Sequence, residues 1–234
     1  YSAIDPYFVY YQLNELSPGP FSCFYKLKDK FLLSSSPERF LNKKGSRVIS
    51  QPIKGTAPRG KDEHEDELLK QQLAGDDKEN AENVMIVDLV RNDLSRIAKK
   101  NTVKVDELCG IYSFEQVHQM ISTVSAEIYD EDIVECVKQA FPMGSMTGAP
   151  KVSAMKLIEK YERTKRGLYS GSLGYFSPGG DFDLNVIIRS ILFNATQNYV
   201  SYSVGGAITY LCDAQAEYEE CMVKAQAMKK VLNS

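Results

Sequence analysis

Two helical segments carry acidic residues where apolar ones are expected. In 77–97, a repeat of about 100° per residue puts Glu79 and Glu82 on the face that bears Ile86, Leu89, Val90 and Ile97. Carboxylates inside an apolar stripe are costly to desolvate, unless they sit at a frayed helix start, where the positive helix end favours them. In the closing segment, 213–232, Glu217, Glu220 and Lys224 recur at i, i+3 and i+7 beside Cys221, Ala225 and Met228. A surface Glu–Lys pair has the same four-residue spacing. The chain nevertheless holds two Glu-x-x-Glu pairs on two helices. Four converging carboxylates cannot all stay ionised without a cation. Magnesium suits them: it takes oxygen ligands, keeps several waters, and relies on one or two carboxylates plus substrate oxygens.

Other side chains invite a structural or a chemical reading. Arg189 shares a face of the expected strand 182–193 with Ile187 and Ile191; a guanidinium there grips a carboxylate, either the protein's own or a ligand's. In 114–128, read as one long strand, His118 falls with Met120 and Val124, as a core histidine or as an acid–base group. The stretch 51–60 reads as a loop after a strand end, with Lys54 ahead of Gly55 and Thr56. That lysine is a surface cation, or a nucleophile if desolvation frees its amine, and the glycine permits close backbone approach to a ligand. The loop 143–151, which contains Thr147, precedes a helix whose first amides can hold an anion. Gly205 and Gly206 end a strand in the same permissive way. None of these is a Walker A or a dinucleotide fingerprint, which disfavours nucleotide binding.

The elements that must position these groups follow from periodicity and turn chemistry. Short strands are expected at 21–28, 31–35 and 47–51. A helix at 62–73 breaks at Gly75, and the next starts from Asp76 or Asp77, whose carboxylate suits an N-cap. Further helices are expected at 130–141, at 151–161 after Ala149-Pro150, and at 213–232. Strands are expected at 114–128, 168–176, 182–193 and 199–207, with turns at 177–180 and 194–197. Hairpin-joined strands with helices in blocks predict an α+β fold with mainly antiparallel sheet. No Pro/Gly/Ser linker, internal repeat or low-complexity tract divides the 234 residues, so 1–234 reads as a single catalytic domain. Nothing caps or initiates at Tyr1, and the chain is expected to be the C-terminal portion of a longer one.

Composition narrows the partners. With 28 basic against 31 acidic residues the net charge is −3, which argues against a nucleic-acid backbone. No apolar run approaches the roughly 18 residues of a membrane span, and no charged-then-apolar leader is visible. The five cysteines are scattered and form no C-x-x-C pair, so a zinc ribbon or redox dithiol is excluded. Free thiols in a reducing, cytoplasmic setting are the simple reading.

Taken in order along the chain, the segments resemble the chorismate-utilising enzyme family, which includes anthranilate, aminodeoxychorismate, isochorismate and salicylate synthases. The matching residues are Ser36-Pro37-Glu38-Arg39-Phe40, the Pro52-Ile53-Lys54-Gly55-Thr56 segment, Asp77-Lys78-Glu79-Asn80-Ala81-Glu82, Ile86-Val87-Asp88-Leu89-Val90-Arg91-Asn92-Asp93-Leu94, the 144–151 loop, and the Gly205-Gly206 and Glu217-x-x-Glu220-x-x-x-Lys224 ending. The resemblance implies two stacked, mainly antiparallel sheets with helices packed outside, the N-terminal part of the domain missing, and chorismate bound with magnesium. It implies Glu82 and Glu220 as metal ligands with Glu79 and Glu217 close by. Tyr175, Arg189, Lys224 and the Gly205 and Gly206 amides would meet substrate carboxylates, with Gly55 and Thr56 in the same pocket. His118 and Thr147 would lie near the ring, and Glu38 would assist departure of the C4 hydroxyl.

Lys54 selects the branch: aminodeoxychorismate synthases typically carry lysine here, and anthranilate synthases alanine. The implied chemistry is amination at C4 through a covalent lysine adduct. Ammonia would come from a glutamine amidotransferase subunit, since the chain shows no glutaminase triad. The alternatives are anthranilate formation with loss of pyruvate, or a non-catalytic subunit that senses chorismate. Two places depart from the family pattern. Asn83 stands where histidine is common, which weakens a pocket role at that position, and 207–212 differs from the usual glycine-rich version.

Overall fold

The structure is a computed structural model that describes residues 4–115, 117–129, 133–210 and 212–233. Helix α1 (Pro6–Leu16) leads into β1 (Phe21–Leu27), β2 (Lys30–Ser36), β3 (Arg39–Lys44), β4 (Arg47–Gln51) and β5 (Ile53–Pro58). Helices α2 (Glu63–Ala74) and α3 (Asp77–Ser95) follow, then β6 (Lys104–Ser113), β7 (Val117–Glu127), α4 (Ile133–Ala140) and α5 (Lys151–Tyr161). Strands β8 (Gly174–Phe176), β9 (Phe182–Asn185), β10 (Ser190–Asn194) and β11 (Tyr199–Tyr202) precede α6 (Ala214–Leu232). Two compact units result, one from 1–38, 166–172 and 185–234, the other from 39–165 and 173–184.

The first unit is built on an antiparallel sheet ordered β1-β2-β10-β11. Its core joins Leu33, Ile191 and Phe193 of the sheet to Val9 and Leu13 of α1 and Met228 and Val231 of α6. Both helices start on capping aspartates. Asp5 accepts from the Tyr7 and Phe8 amides ahead of Pro6, and Asp213 accepts from the Ala216 amide.

The second unit carries a seven-stranded sheet, β5-β7-β4-β3-β9-β8 with β6 also on β7. Helix α3, capped by Asp76 on the Glu79 amide, packs on β5, β6 and β7 through Ile86, Val87, Leu89, Val90 and Leu94. The α+β class with antiparallel sheets is as expected, and among the described residues no helix is long and apolar enough to cross a membrane.

Several elements differ from the sequence reading. Helix α1 and strands β3, β5 and β6 were not expected. β6 hides because its pairing with β7 shifts register twice, between Val105 and Glu107 and between Glu107 and Gly110, which erases the alternation a strand is recognised by. The expected strand 168–176 shrinks to β8, and 199–207 to β11. The expected strand 182–193 is broken: residues 186–189 leave the ladder, and Arg189 adopts φ +51°. Of the remaining expectations, Gln116 of 114–128, the first residues of the 130–141 helix and Leu211 of 207–212 lie outside the described residues.

Candidate functional site

In the second unit the first turns of α3 present Glu79 and Glu82 towards β5. Glu82 is 7% exposed, and its Oε2 lies 2.7 Å from Lys54 Nζ. Burial pushes the Glu79 carboxyl above its ordinary range; Lys54 pulls it back, and the charges of Glu82 and Asp76 add to the rise. Lys54 is on a strand, β5, not in the loop expected over 51–60. Pro52 only separates β4 from β5, because it has no amide to give to the ladder. Gly55 has φ +99°, and a Cβ there would stand 3.2 Å from Met120 Cβ and 3.3 Å from Glu79 Oε2. Glycine is thus required both by backbone conformation and by closeness to the carboxylate.

Thr56 lies two residues on from Lys54 in the same strand, opposite Gln119. His118 is 0% exposed, with Nδ1 2.8 Å from Ser113 Oγ and Nε2 3.0 Å from Asp66 Oδ1. Asp66 is also gripped by both arms of Arg59, at 2.8 Å each, and by the Gly60 amide. These donors hold its carboxyl well below the usual range, Arg59 first, then Gly60, then His118. The histidine therefore ties β7 to α2 with both ring nitrogens engaged. Thr147 closes its own loop, its hydroxyl donating to the Met143 and Gly144 carbonyls at 3.1 and 3.2 Å. That loop is pinned by Lys151, whose ammonium meets Asp93 Oδ2 at 2.5 Å and the Pro142 carbonyl at 2.7 Å. Tyr175, on β8, is 66% exposed.

In the first unit a second cluster forms around the start of α6. Lys224 Nζ lies 2.6 Å from Glu220 Oε1 and donates to the Gly205 carbonyl at 3.2 Å. A Cβ on Gly206 would stand 2.8 Å from Glu217 Oε2, and one on Gly205 would stand 3.0 Å from the Tyr169 hydroxyl. Glu217 is 8% exposed. Arg189 interacts with the same group: burial draws its guanidinium below the ordinary value, and its electrostatic interactions with Glu220, then Tyr169, oppose this. Its place is set where the chain leaves the ladder after β9, not by strand alternation, and its carbonyl accepts the Ser35 amide. Glu38 is buried, with its carbonyl accepting the Val186 amide at 3.0 Å. Tyr169 was not singled out from sequence. Its only signal is the expected strand 168–176, which forms as β8 at 174–176 and leaves Tyr169 outside it.

The two Glu pairs thus sit in separate units, each with a lysine on one carboxylate and glycine backbone against the other. In neither unit do three or more His, Cys, Asp or Glu side chains gather, among the described residues, into a ligand set of their own. As donors the pairs still fit magnesium, which needs only one or two carboxylates when substrate and water complete its shell.

A family profile described as chorismate binding enzyme matches residues 1–230. Aminodeoxychorismate synthase of Streptomyces griseus is 43% identical over 233 residues, which are 99% of this chain and 32% of that protein. Aminodeoxychorismate synthase component 1 of Bacillus subtilis (strain 168) is 38% identical over 231 residues, 98% of this chain and 49% of that protein. The crystal structure of anthranilate synthase component I from Streptococcus pneumoniae TIGR4 superposes with a TM-score of 0.84 at 34% identity, covering 97% of this chain and 50% of that one. The chain spans between about a third and a half of the length of these curated relatives.

Proposed function

Because the chain belongs to the chorismate-binding enzyme family, we propose that it carries the catalytic residues of an aminodeoxychorismate synthase. Chorismate is aminated at C4, and the enolpyruvyl group is kept, giving 4-amino-4-deoxychorismate for para-aminobenzoate and folate synthesis. The observation that carries this reading is Lys54: its amine is presented from β5 to the buried Glu82 at 2.7 Å, where an anthranilate synthase would typically have alanine.

The steps balance without an oxidant. The Lys54 amine, in its neutral form, adds at C2 as the C4 hydroxyl leaves as water, with Glu38 giving the proton. Ammonia then adds at C4 and expels the lysine, which restores the amine. Arg189 holds a substrate carboxylate through its planar fork, with Lys224 and the Gly205 and Gly206 amides; Tyr175, Gly55, Thr56 and Thr147 are the further residues proposed to meet substrate, and His118, buried with both ring nitrogens engaged, would serve by fixing β7. Magnesium, when bound, would supply positive charge to the ring carboxylate, and Glu82 and Glu220, with Glu79 and Glu217, are the carboxylates that would hold it. A glutamine amidotransferase subunit is the proposed source of ammonia. The five cysteines are free thiols, in keeping with a cytoplasmic setting.

The test is chorismate, an ammonium salt and magnesium with the full-length protein, with products read by mass. The expected product is 4-amino-4-deoxychorismate, with a transient adduct on Lys54. Anthranilate plus pyruvate would transfer the chain to its structural neighbour's chemistry, and chorismate bound but unchanged would make it a sensing subunit.

A further inference from the structure

Strand β5 does not pair regularly with β7 where Lys54 sits. Ile53 faces Ile121 and Thr56 faces Gln119, so two residues, Lys54 and Gly55, oppose Met120 alone. A bulge of this kind leaves ladder groups unpaired, and buried carbonyls need a donor. Asn83 supplies it from α3. It is 0% exposed, and its Nδ2 donates to the Lys54 carbonyl at 3.3 Å and to the Met120 carbonyl at 3.5 Å, one on each side of the bulge. Its Oδ1 accepts from the Ser122 hydroxyl, whose oxygen accepts the Cys109 amide at 2.9 Å. The preceding residue, Glu82, takes the Lys54 ammonium. Adjacent residues of one helix therefore hold the backbone and the side chain of the same lysine.

Only a carboxamide meets this demand. A neutral imidazole has one N–H donor and one acceptor, so histidine at 83 could donate to only one of the two carbonyls. We infer that Asn83 is a positioning residue for Lys54: its amide clamps the bulge that aims the amine, and the pair Asn83–Lys54 sets which carbon of chorismate receives nitrogen. The inference rests on the reading of Lys54 as nucleophile. Without the clamp the Lys54 and Met120 carbonyls each lose the Asn83 donor, and the strand moves the amine away from Glu82. Misplacement of a reacting group by about 1 Å costs on the order of a hundredfold in rate.

A double-mutant cycle tests this on the full-length protein with chorismate, ammonium and magnesium. Asn83→His is expected to lower kcat by about tenfold or more, with KM changed less than about threefold, and to shift the product ratio away from the C4 amine. In a Lys54→Ala background the same change should alter neither rate nor ratio. Equal losses in both backgrounds would make Asn83 a purely structural residue and overturn the inference. If Asn83→His does not fold, Ser122→Ala, which frees Asn83 Oδ1 and the Cys109 amide and leaves Nδ2 on both carbonyls, goes through the same cycle with a smaller effect of the same pattern; equal losses again overturn it. A crystal of Asn83→His with the Lys54–Glu82 contact unchanged would overturn it without any assay. The two readings fail separately. Anthranilate from the wild type refutes the amination and leaves the coupling measurable, whereas the C4 amine with no 83–54 coupling refutes the positioning role alone.

Discussion

Lys54 Nζ lies 2.7 Å from Glu82 Oε2, with Glu82 almost fully buried. The carboxylate proposed to hold magnesium thus already carries a cation from its own chain, and the two compete for the same oxygen. Lys54→Met should bind magnesium about tenfold more tightly than wild type, a difference of about 1.4 kcal/mol, in calorimetric titration. Lys78→Met serves as the control, since the Lys78 charge also bears on the neighbouring Glu79 but the Lys54 ammonium is the one in contact with Glu82. An equal gain from both variants would show a general charge effect and no competition at Glu82.

Gly206→Ala should disable Glu217 and spare the fold. The added Cβ meets Glu217 Oε2 at 2.8 Å, and the flexible end of that side chain can swing away. Stability should change by less than about 1 kcal/mol, while magnesium affinity falls by about ten- to a hundredfold. A thermal melt and a metal titration on the same preparation separate the two effects.

Lys151→Met should be strongly destabilising. Lys151 satisfies the buried Asp93 at 2.5 Å and the Pro142 carbonyl at 2.7 Å. Removing it strands a buried carboxylate whose pKa burial already raises, at a cost of about 3–5 kcal/mol. Denaturant unfolding measures this directly. A loss under about 1 kcal/mol would mean that water reaches Asp93 and the pair behaves as a surface one.

Acid should unpick the Asp66 network. The Arg59, Gly60 and His118 donors hold the folded carboxyl below its ordinary value of 3.8. The stability it contributes is therefore complete above that value and is lost as pH falls below it, through the folded pKa. Asp66→Asn should melt earlier than wild type at pH 7, and the gap should narrow as the pH is taken down through the acid range. A gap independent of pH would assign the loss to packing and not to the charge.

Helices α3 and α6 were legible in the sequence almost to the residue. Their caps, Asp76 and Asp213, bond to amides three residues on, and their burial stripes repeat every three or four residues. Both signals depend only on sequence neighbours. The Glu-x-x-Glu pairs came with those helices, so their positions on the fold followed as well. The rest depends on residues far apart in the chain. Whether 51–60 is loop or strand is decided by β7 about 65 residues later, and the bulge that presents Lys54 is bridged by Asn83, 29 residues on. His118 looked like a lone core histidine until the fold brought Asp66 to it across 52 residues. Arg189 was placed by alternation, yet its site is made by a left-handed residue where the chain leaves one sheet and enters another. Periodicity encodes which face a residue occupies within an element. Where an element must bend, break or bulge is set by the partners it meets, and only the tertiary structure supplies those.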